Sequence, residues 1–221
     1  YSLSDGLLDG SARRVTQYVY NGNYGDNKVK FGAYYGGSSK RSMKNLDLAN
    51  KRKNAWGTGL IFDHEIDSIQ NVTVAAGFTR EISENANKTA YYSNAYALGL
   101  AYNFVHTTYG LDLERQVTKN QGDKRTKNEV RAIVRQGLNE DWNVYAMYAY
   151  KTDKQFGDTD RTRQFMVGTE YYVYNQGSLK VKPFLEWQAT RTKYENTFDD
   201  AGKQLDRSRD FKTVIGLRAY W

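Results

Sequence analysis

The chain contains no cysteine, one proline (Pro183) and two histidines, His64 and His106. Without thiols it can form neither disulfides nor thiolate metal sites. No stretch approaches the roughly 18 consecutive apolar residues of a membrane-spanning helix. The opening "YSLSDGLLDGSARR" lacks a basic segment followed by an apolar core, so it does not read as a signal peptide; the expectation is a mature or a cytosolic chain. Phosphate-binding glycine loops and metal-ligand spacings are absent too, so no cofactor is expected. With two histidines, histidine-dependent catalysis has two places to reside. His64 lies in "FDHEID", where an Asp–His pair is conceivable, and His106 lies in "NFVHTTYG". Both fall beside short turns, and satisfied rim histidines are the simpler interpretation.

What the chain does have is tyrosine and glycine, 19 of each among 221 residues, and an excess of positive charge. Lys and Arg number 32 against 25 Asp and Glu, a formal charge of +7. The isoelectric point is near 9.3 and the mean hydropathy is −0.80. A basic balance points to an anionic partner: nucleic acid, lipid headgroups, lipopolysaccharide or an acidic small molecule. The cations are spread along the chain, which disfavours nucleic acid.

The hydropathy value averages over an alternation that carries the fold. In "DFKTVIGLRAYW", Phe211, Thr213, Ile215, Leu217, Ala219 and Trp221 fall on one face when read in steps of two. Lys212, Val214, Gly216, Arg218 and Tyr220 fall on the other. Successive side chains of a strand point to opposite faces, so one wall is apolar and the other is wet. The unit recurs at 12–20, 27–36, 54–65, 70–82, 89–104, 108–118, 126–138, 141–152, 161–174, 178–192 and 209–221. Most of these segments exceed the roughly 5–6 residues usual for globular strands and suit the ~9–11 needed to cross a bilayer at a tilt. Short links ("NGNYGD", "DSIQ", "NED", "NQGS") alternate with longer charged ones such as "GSSKRSMKNLDLANKRK", "TKNQGDKRTK", "TDKQFGDTD" and "YENTFDDAGKQLDRSR". Aromatic residues bracket the apolar faces: Trp56 and Phe62, Phe165 and Tyr171, Phe211 and Trp221. Short turns at one end, long loops at the other and paired aromatic girdles describe an outer-membrane barrel. The expectation is one all-β domain over 1–221, a transmembrane antiparallel up-and-down β-barrel of twelve strands. Eleven are clear; the first, weak strand would come from residues 1–10.

Barrel size, alternating loop lengths, a basic lumen and the ending "IGLRAYW" resemble the small monomeric oligosaccharide-specific outer-membrane porins of the KdgM/NanC type. That resemblance implies a monomer in the bacterial outer membrane, passing acidic oligosaccharides or sialic acid along lumenal Arg and Lys.

The inward faces divide into two kinds. Ala55, Gly57, Gly59, Ala75, Gly77, Ala95, Ala97, Gly99 and Ala101 make a bare wall. Lys28, Lys30, Arg131, Arg135, Lys180, Lys182 and Arg218 supply cations, against the lumenal carboxylates Asp112, Glu114, Glu129, Glu170 and Glu186. Either the cations line a channel for an anionic solute, or they pair with nearby carboxylates and the bare wall admits the basic loop 37–53. Inward Tyr145, Tyr172 and Tyr220 could add stacking or hydroxyl contacts to a sugar. The expected function is a porin for passive diffusion of small anionic solutes such as acidic oligosaccharides, with lipid and lipopolysaccharide as its surroundings. The alternatives are an outer-membrane enzyme centred on His64 and a plugged, non-conducting adhesin or translocator barrel.

Overall fold

The structure is a computed structural model that describes residues 15–37, 39–40, 51–84, 90–120, 122–176, 179–198, 202 and 204–220. All regular structure among them is strand: β1 (Val15–Tyr24), β2 (Asn27–Gly36), β3 (Ser39–Lys40), β4 (Lys51–Asp67), β5 (Gln70–Glu84), β6 (Ala90–Phe104) and β7 (Thr107–Asn120). There follow β8 (Asp123–Gly137), β9 (Trp142–Gln155), β10 (Asp158–Tyr171), β11 (Tyr174–Gln176), β12 (Leu179–Phe198) and β13 (Gln204–Tyr220). Eleven are long; β3 and β11 are short additions to the edges of β4 and β12. Every pairing is antiparallel, and the long strands meander through one sheet in chain order. Among the described residues β1 pairs with β2 alone and β13 with β12 alone, so the sheet has two open edges. The strand expected in residues 1–10, and Trp221 of the terminal pattern, lie outside the described residues.

Directly opposed residues of an antiparallel pair share a face, so the register assigns side chains across the whole sheet. One row runs Asp112, Arg131, Ala149, Gln164, Thr190 and Asp210 across six strands. This wet face is the lumenal face of the sequence prediction, below called inner. On the opposite, outer face lie Leu98, Leu100, Val130, Val134, Val167, Leu185, Ile215 and Leu217, all substantially exposed, with Ile215 at 79% and Leu217 at 65%. Fully burying a side chain of this kind is worth about 1.5–3 kcal/mol, and contiguous apolar patches beyond a few hundred Å² mark a surface that something apolar must cover.

Aromatic rings border this apolar face on two levels. On the level farther from the turns at 25–26, 68–69, 105–106 and 138–141, called the tight turns below, Trp56 and Tyr96 each lie 5.0 Å from Phe78, while Phe165 and Phe211 lie 6.5 and 6.2 Å from Trp187. On the turn side, Tyr102 and Tyr109 stack at 6.4 Å, and the Trp142 indole N–H donates to Thr169 Oγ1 at 2.7 Å.

Several of the expected long links prove to be mostly strand. Strand β7 runs to Asn120 and β8 resumes at Asp123; β9 runs to Gln155 and β10 resumes at Asp158; β12 runs to Phe198 and β13 resumes at Gln204. Beyond the outer aromatic level both faces carry polar residues, so the two-residue hydrophobic period fades while the backbone pairing continues. The turns carry the chemistry that such hairpins demand: Phe156 and Gly157 both have positive φ, 53° and 95°, as a two-residue primed turn requires. Of the link 37–53, Ser39–Lys40 pairs with β4, and residues 41–50 lie outside the described residues.

Val105 also has a positive φ, 53°, in the turn between β6 and β7, where its N–H donates to Ile69 O at 2.8 Å. A left-handed conformation costs a residue with a Cβ about 1–2 kcal/mol, most for a branched one, and asparagine tolerates it best after glycine. Val105→Asn should therefore raise the unfolding free energy by about 0.5–1 kcal/mol, read as a higher urea midpoint. A lower midpoint would mean that position 105 is not left-handed.

Candidate functional site

The inner face of β8, β9, β10, β12 and β13 is closely packed. Met147 (1% exposed) and Met166 (0%) form a small apolar row with Ile133 and Tyr145. Charged groups flank this row on both sides. Away from the tight turns, Arg131 donates to Glu129 Oε1 at 2.7 Å and to Asp112 Oδ2 at 3.4 Å, with Glu114 4.0 Å away. Lys151 Nζ holds the other oxygen of Glu129 at 3.2 Å. Glu129 and Glu114 are directly opposed across β7 and β8, a like-charge pair that Arg131 and Lys151 make tolerable.

Toward the turns, Glu170 is the common anion of a second cluster. Lys182 Nζ lies 2.8 Å from it, Arg135 Nη2 3.4 Å and Arg218 Nη1 3.6 Å. Arg218 also reaches Glu186 at 3.3 Å, and the Tyr145 hydroxyl donates to Glu186 at 2.7 Å. The Lys182 ammonium sits 5.0 Å from the Tyr172 ring centroid and 5.5 Å from that of Tyr220. Lys182, Glu170 and Glu186 are each no more than 2% exposed. Buried charges persist when they are paired: each of these three lies within ion-pair distance of an opposite charge, and Glu170 and Glu186 also accept hydrogen bonds from Arg135 and Tyr145.

Two glycines make the geometry possible. A Cβ on Gly168 would stand 2.4 Å from the Tyr145 ring, and one on Gly216 would stand 2.4 Å from the Phe184 ring. Each aromatic lies flat across the glycine of the neighbouring strand, which carries the Tyr145 hydroxyl to Glu186 and sets Phe184 under Arg218, 4.0 Å from ring centroid to guanidinium.

The inner face of β4, β5 and β6 contrasts with this packing. Gly59, Ala75, Gly77, Ala97 and Gly99 leave a cavity of about 750 Å³, which also meets Lys30, Asn21, Asp112 and Glu114. Nothing stands within 4 Å of a Cβ placed on Gly32.

The seven predicted cations therefore separate. Register puts all of them on the inner face. Arg135, Lys182 and Arg218 converge on Glu170, and Arg131 belongs to the other cluster. Lys28, Lys30 and Lys180 are exposed and make no ion pair among the described residues. Sequence reasoning named Glu170 and Glu186 but not their convergence with the cations, which depends on side chains reaching over an intervening strand. It did not single out Met147 and Met166, whose signal was their inward register beside Tyr145.

The histidines take no part in this face. His64 lies on the outer face, its Nδ1 2.9 Å from Asn27 Oδ1, whereas Asp63 points inward and accepts a hydrogen bond from Thr73 at 2.6 Å. As sequence neighbours in a strand they face opposite ways, so "FDHEID" does not assemble an Asp–His pair. His106 lies in the β6–β7 turn, and its carbonyl accepts from the Gly137 N–H at 2.8 Å. Among the described residues no group of three or more potential ligands could hold a metal ion.

Glu170→Gln removes the anion shared by three cations and leaves Lys182 buried without its counter-charge. Breaking a buried pair from one side typically costs about 3–5 kcal/mol, and the unfolding free energy should fall by that order. Glu170→Gln combined with Lys182→Met should recover much of the loss, giving a coupling of about 0.5–3 kcal/mol. Equal stability of Glu170→Gln and wild type would show that the cluster is not formed.

Comparison with known proteins adds no name to this geometry: no protein-family model matches the chain, and no curated protein matches it at a significant level.

Proposed function

We propose that the chain is a β-barrel porin of the bacterial outer membrane, a monomeric channel for passive diffusion of small anionic solutes such as acidic oligosaccharides. The observation that carries this reading is the division of one continuous sheet into two faces. The outer face is apolar between two aromatic levels, as a bilayer requires. The inner face is charged, as water requires. Closure is part of the proposal. Edge strand β13 presents Phe211, Ile215 and Leu217 outward, and unpaired backbone groups beside such residues in lipid would each cost several kcal/mol. The edges of β1 and β13 are thus brought together, with a twelfth strand from the residues before Val15.

In this barrel the solute path follows the bare wall, where the cavity lies. The paired clusters fix the shape of the opposite wall and contribute little net charge. Anion preference rests on Lys28, Lys30 and Lys180, which make no ion pair among the described residues, because low-dielectric walls focus their field on the path. A second reading, a barrel that does not conduct, draws on the filled inner face around Met147 and Met166.

Single-channel recording in a planar bilayer decides between these. The porin reading expects conductance with an anion-selective reversal potential in dilute salt. Selectivity should fade as the Debye length falls from about 10 Å at 0.1 M to about 3 Å at 1 M, and Lys28→Gln with Lys30→Gln should reduce it. Cation preference in dilute salt would defeat anion selectivity, and a silent bilayer would favour the second reading.

The membrane reading has its own measurement. Val134 faces outward and Arg131 inward, three residues away on the same strand. Val134→Arg should cost roughly 2–4 kcal/mol of stability in lipid if the position lies near the bilayer midplane. A fully stable Val134→Arg would place that face in water.

A further inference from the structure

Six cations stand together on the outer face, just beyond the aromatic level farther from the tight turns. Arg163, Arg191 and Arg209 oppose one another directly across β10, β12 and β13. In the next outward row Arg161, Lys193 and Arg207 do the same. All six are exposed, and none forms an ion pair among the described residues. Like charges directly opposed across a sheet are destabilising, and here the arrangement occurs twice in adjacent rows. Glu195, four residues beyond Arg191 on β12, accepts a hydrogen bond from the Thr159 backbone N–H and makes no ion pair with these six among the described residues. Asp160, Asp206 and Asp210 alternate onto the inner face.

Beneath the first row is a cleft of about 300 Å³, lined by Arg163, Arg191 and Arg209 on one side and by Tyr148, Phe165 and Phe211 on the other. Ala189 sits between Phe165 and Phe211 in register, so its small side chain opens the cleft between the two rings. A cation row directly above an apolar, aromatic-walled cleft matches a ligand with phosphates at one end and hydrocarbon at the other. Guanidinium groups grip phosphate oxygens two at a time, and three side by side suit more than one phosphate.

We propose that the outer face of β10, β12 and β13 binds the phosphate groups of a membrane glycolipid of the outer leaflet, with the adjoining acyl chain in the cleft. The inference rests on the transmembrane reading, because only then does this row stand at the level of lipid headgroups. Bound phosphates would relieve the repulsion between the opposed arginines, so the site is part of how this side of the sheet is held in the membrane.

The test uses the full chain inserted in phosphatidylcholine nanodiscs and titrated with diphosphoryl lipid A, with its dephosphorylated form and with inorganic phosphate. Diphosphoryl lipid A should bind at least about tenfold more tightly than the dephosphorylated form, and inorganic phosphate should not displace it. Arg163→Gln, Arg191→Gln and Arg209→Gln together should remove that preference and flatten the salt dependence; if the triple variant does not insert, Arg191→Gln alone should weaken binding severalfold. Arg115→Gln, an outward cation on β7, should leave binding unchanged. Equal binding of the two lipid forms, displacement by inorganic phosphate, or an equal loss in Arg115→Gln would each overturn the site while leaving the barrel reading intact. Failure of the wild type to become protease-protected in the nanodisc would overturn the membrane reading itself, and the site with it.

Discussion

Antiparallel register across eleven long strands fixes the face of every side chain at once, and most other features of the structure depend on it. Because opposed residues share a face, the choice made at Arg131 also commits Asp112, Ala149 and Gln164. A one-residue slip in any pairing would turn a strand's apolar set toward the charged face and its charges toward the apolar one. The penalty runs in both directions, since Glu170 and Lys182 would lose their partners while Leu185 and Trp187 entered the ion cluster. Register is therefore specified from both faces, more strongly than in a sheet with only one demanding side.

The same constraint sorts the charges into kinds with different tasks. On the inner face of β8 to β13, cations and carboxylates interleave closely enough to pair, within a strand, between neighbouring strands and, for Arg135 and Arg218 with Glu170, across one intervening strand. Gly168 lets Tyr145 pass from β9 to Glu186 on β12, and Gly216 lets Phe184 lie beneath Arg218. Such clusters stiffen a wall but present little net field. The exposed lysines on β2, and Lys180, make no ion pair among the described residues. The outer rows of Arg and Lys on β10, β12 and β13 are exposed and likewise make none among the described residues, which is why an external anion is proposed for them. A single net charge for the chain conceals these three situations.

Much of the sheet could be read from the sequence because one apolar and one charged face impose a period of two. The outward run Val130, Ala132, Val134 and the inward run Glu129, Arg131, Arg135 needed only alternation to be placed. Strand ends were harder: past the aromatic level both faces are polar, so Val117–Asn120 and Asp123–Thr126 carry no contrast even though they pair. The site was legible as a set of inward charges but not as two clusters, since the convergence of Arg135, Lys182 and Arg218 on Glu170 joins residues up to 83 positions apart through side-chain reach. The outer arginine rows were hidden for a related reason. Arg163, Arg191 and Arg209 look unremarkable one strand at a time, and become a row only once register is known.

The asymmetry of the inner face follows from side-chain volume. At the middle of β4 to β6 the inward positions Gly57, Gly59, Ala75, Gly77, Ala97 and Gly99 are Gly or Ala, so this wall stays close to the backbone there and leaves open space. On β8 to β12 the inward positions hold Met, Tyr, Arg, Lys and Glu, which project and fill. In the proposed barrel, space is limited to what the side chains leave, so the proposed passage lies off-centre, against the small residues. Long charged side chains hold one position when each is pinned by a partner. The ion clusters around Glu129 and Glu170 supply this pinning on the projecting side of the sheet, and in the proposed barrel they would keep that side from filling the space beside the small residues.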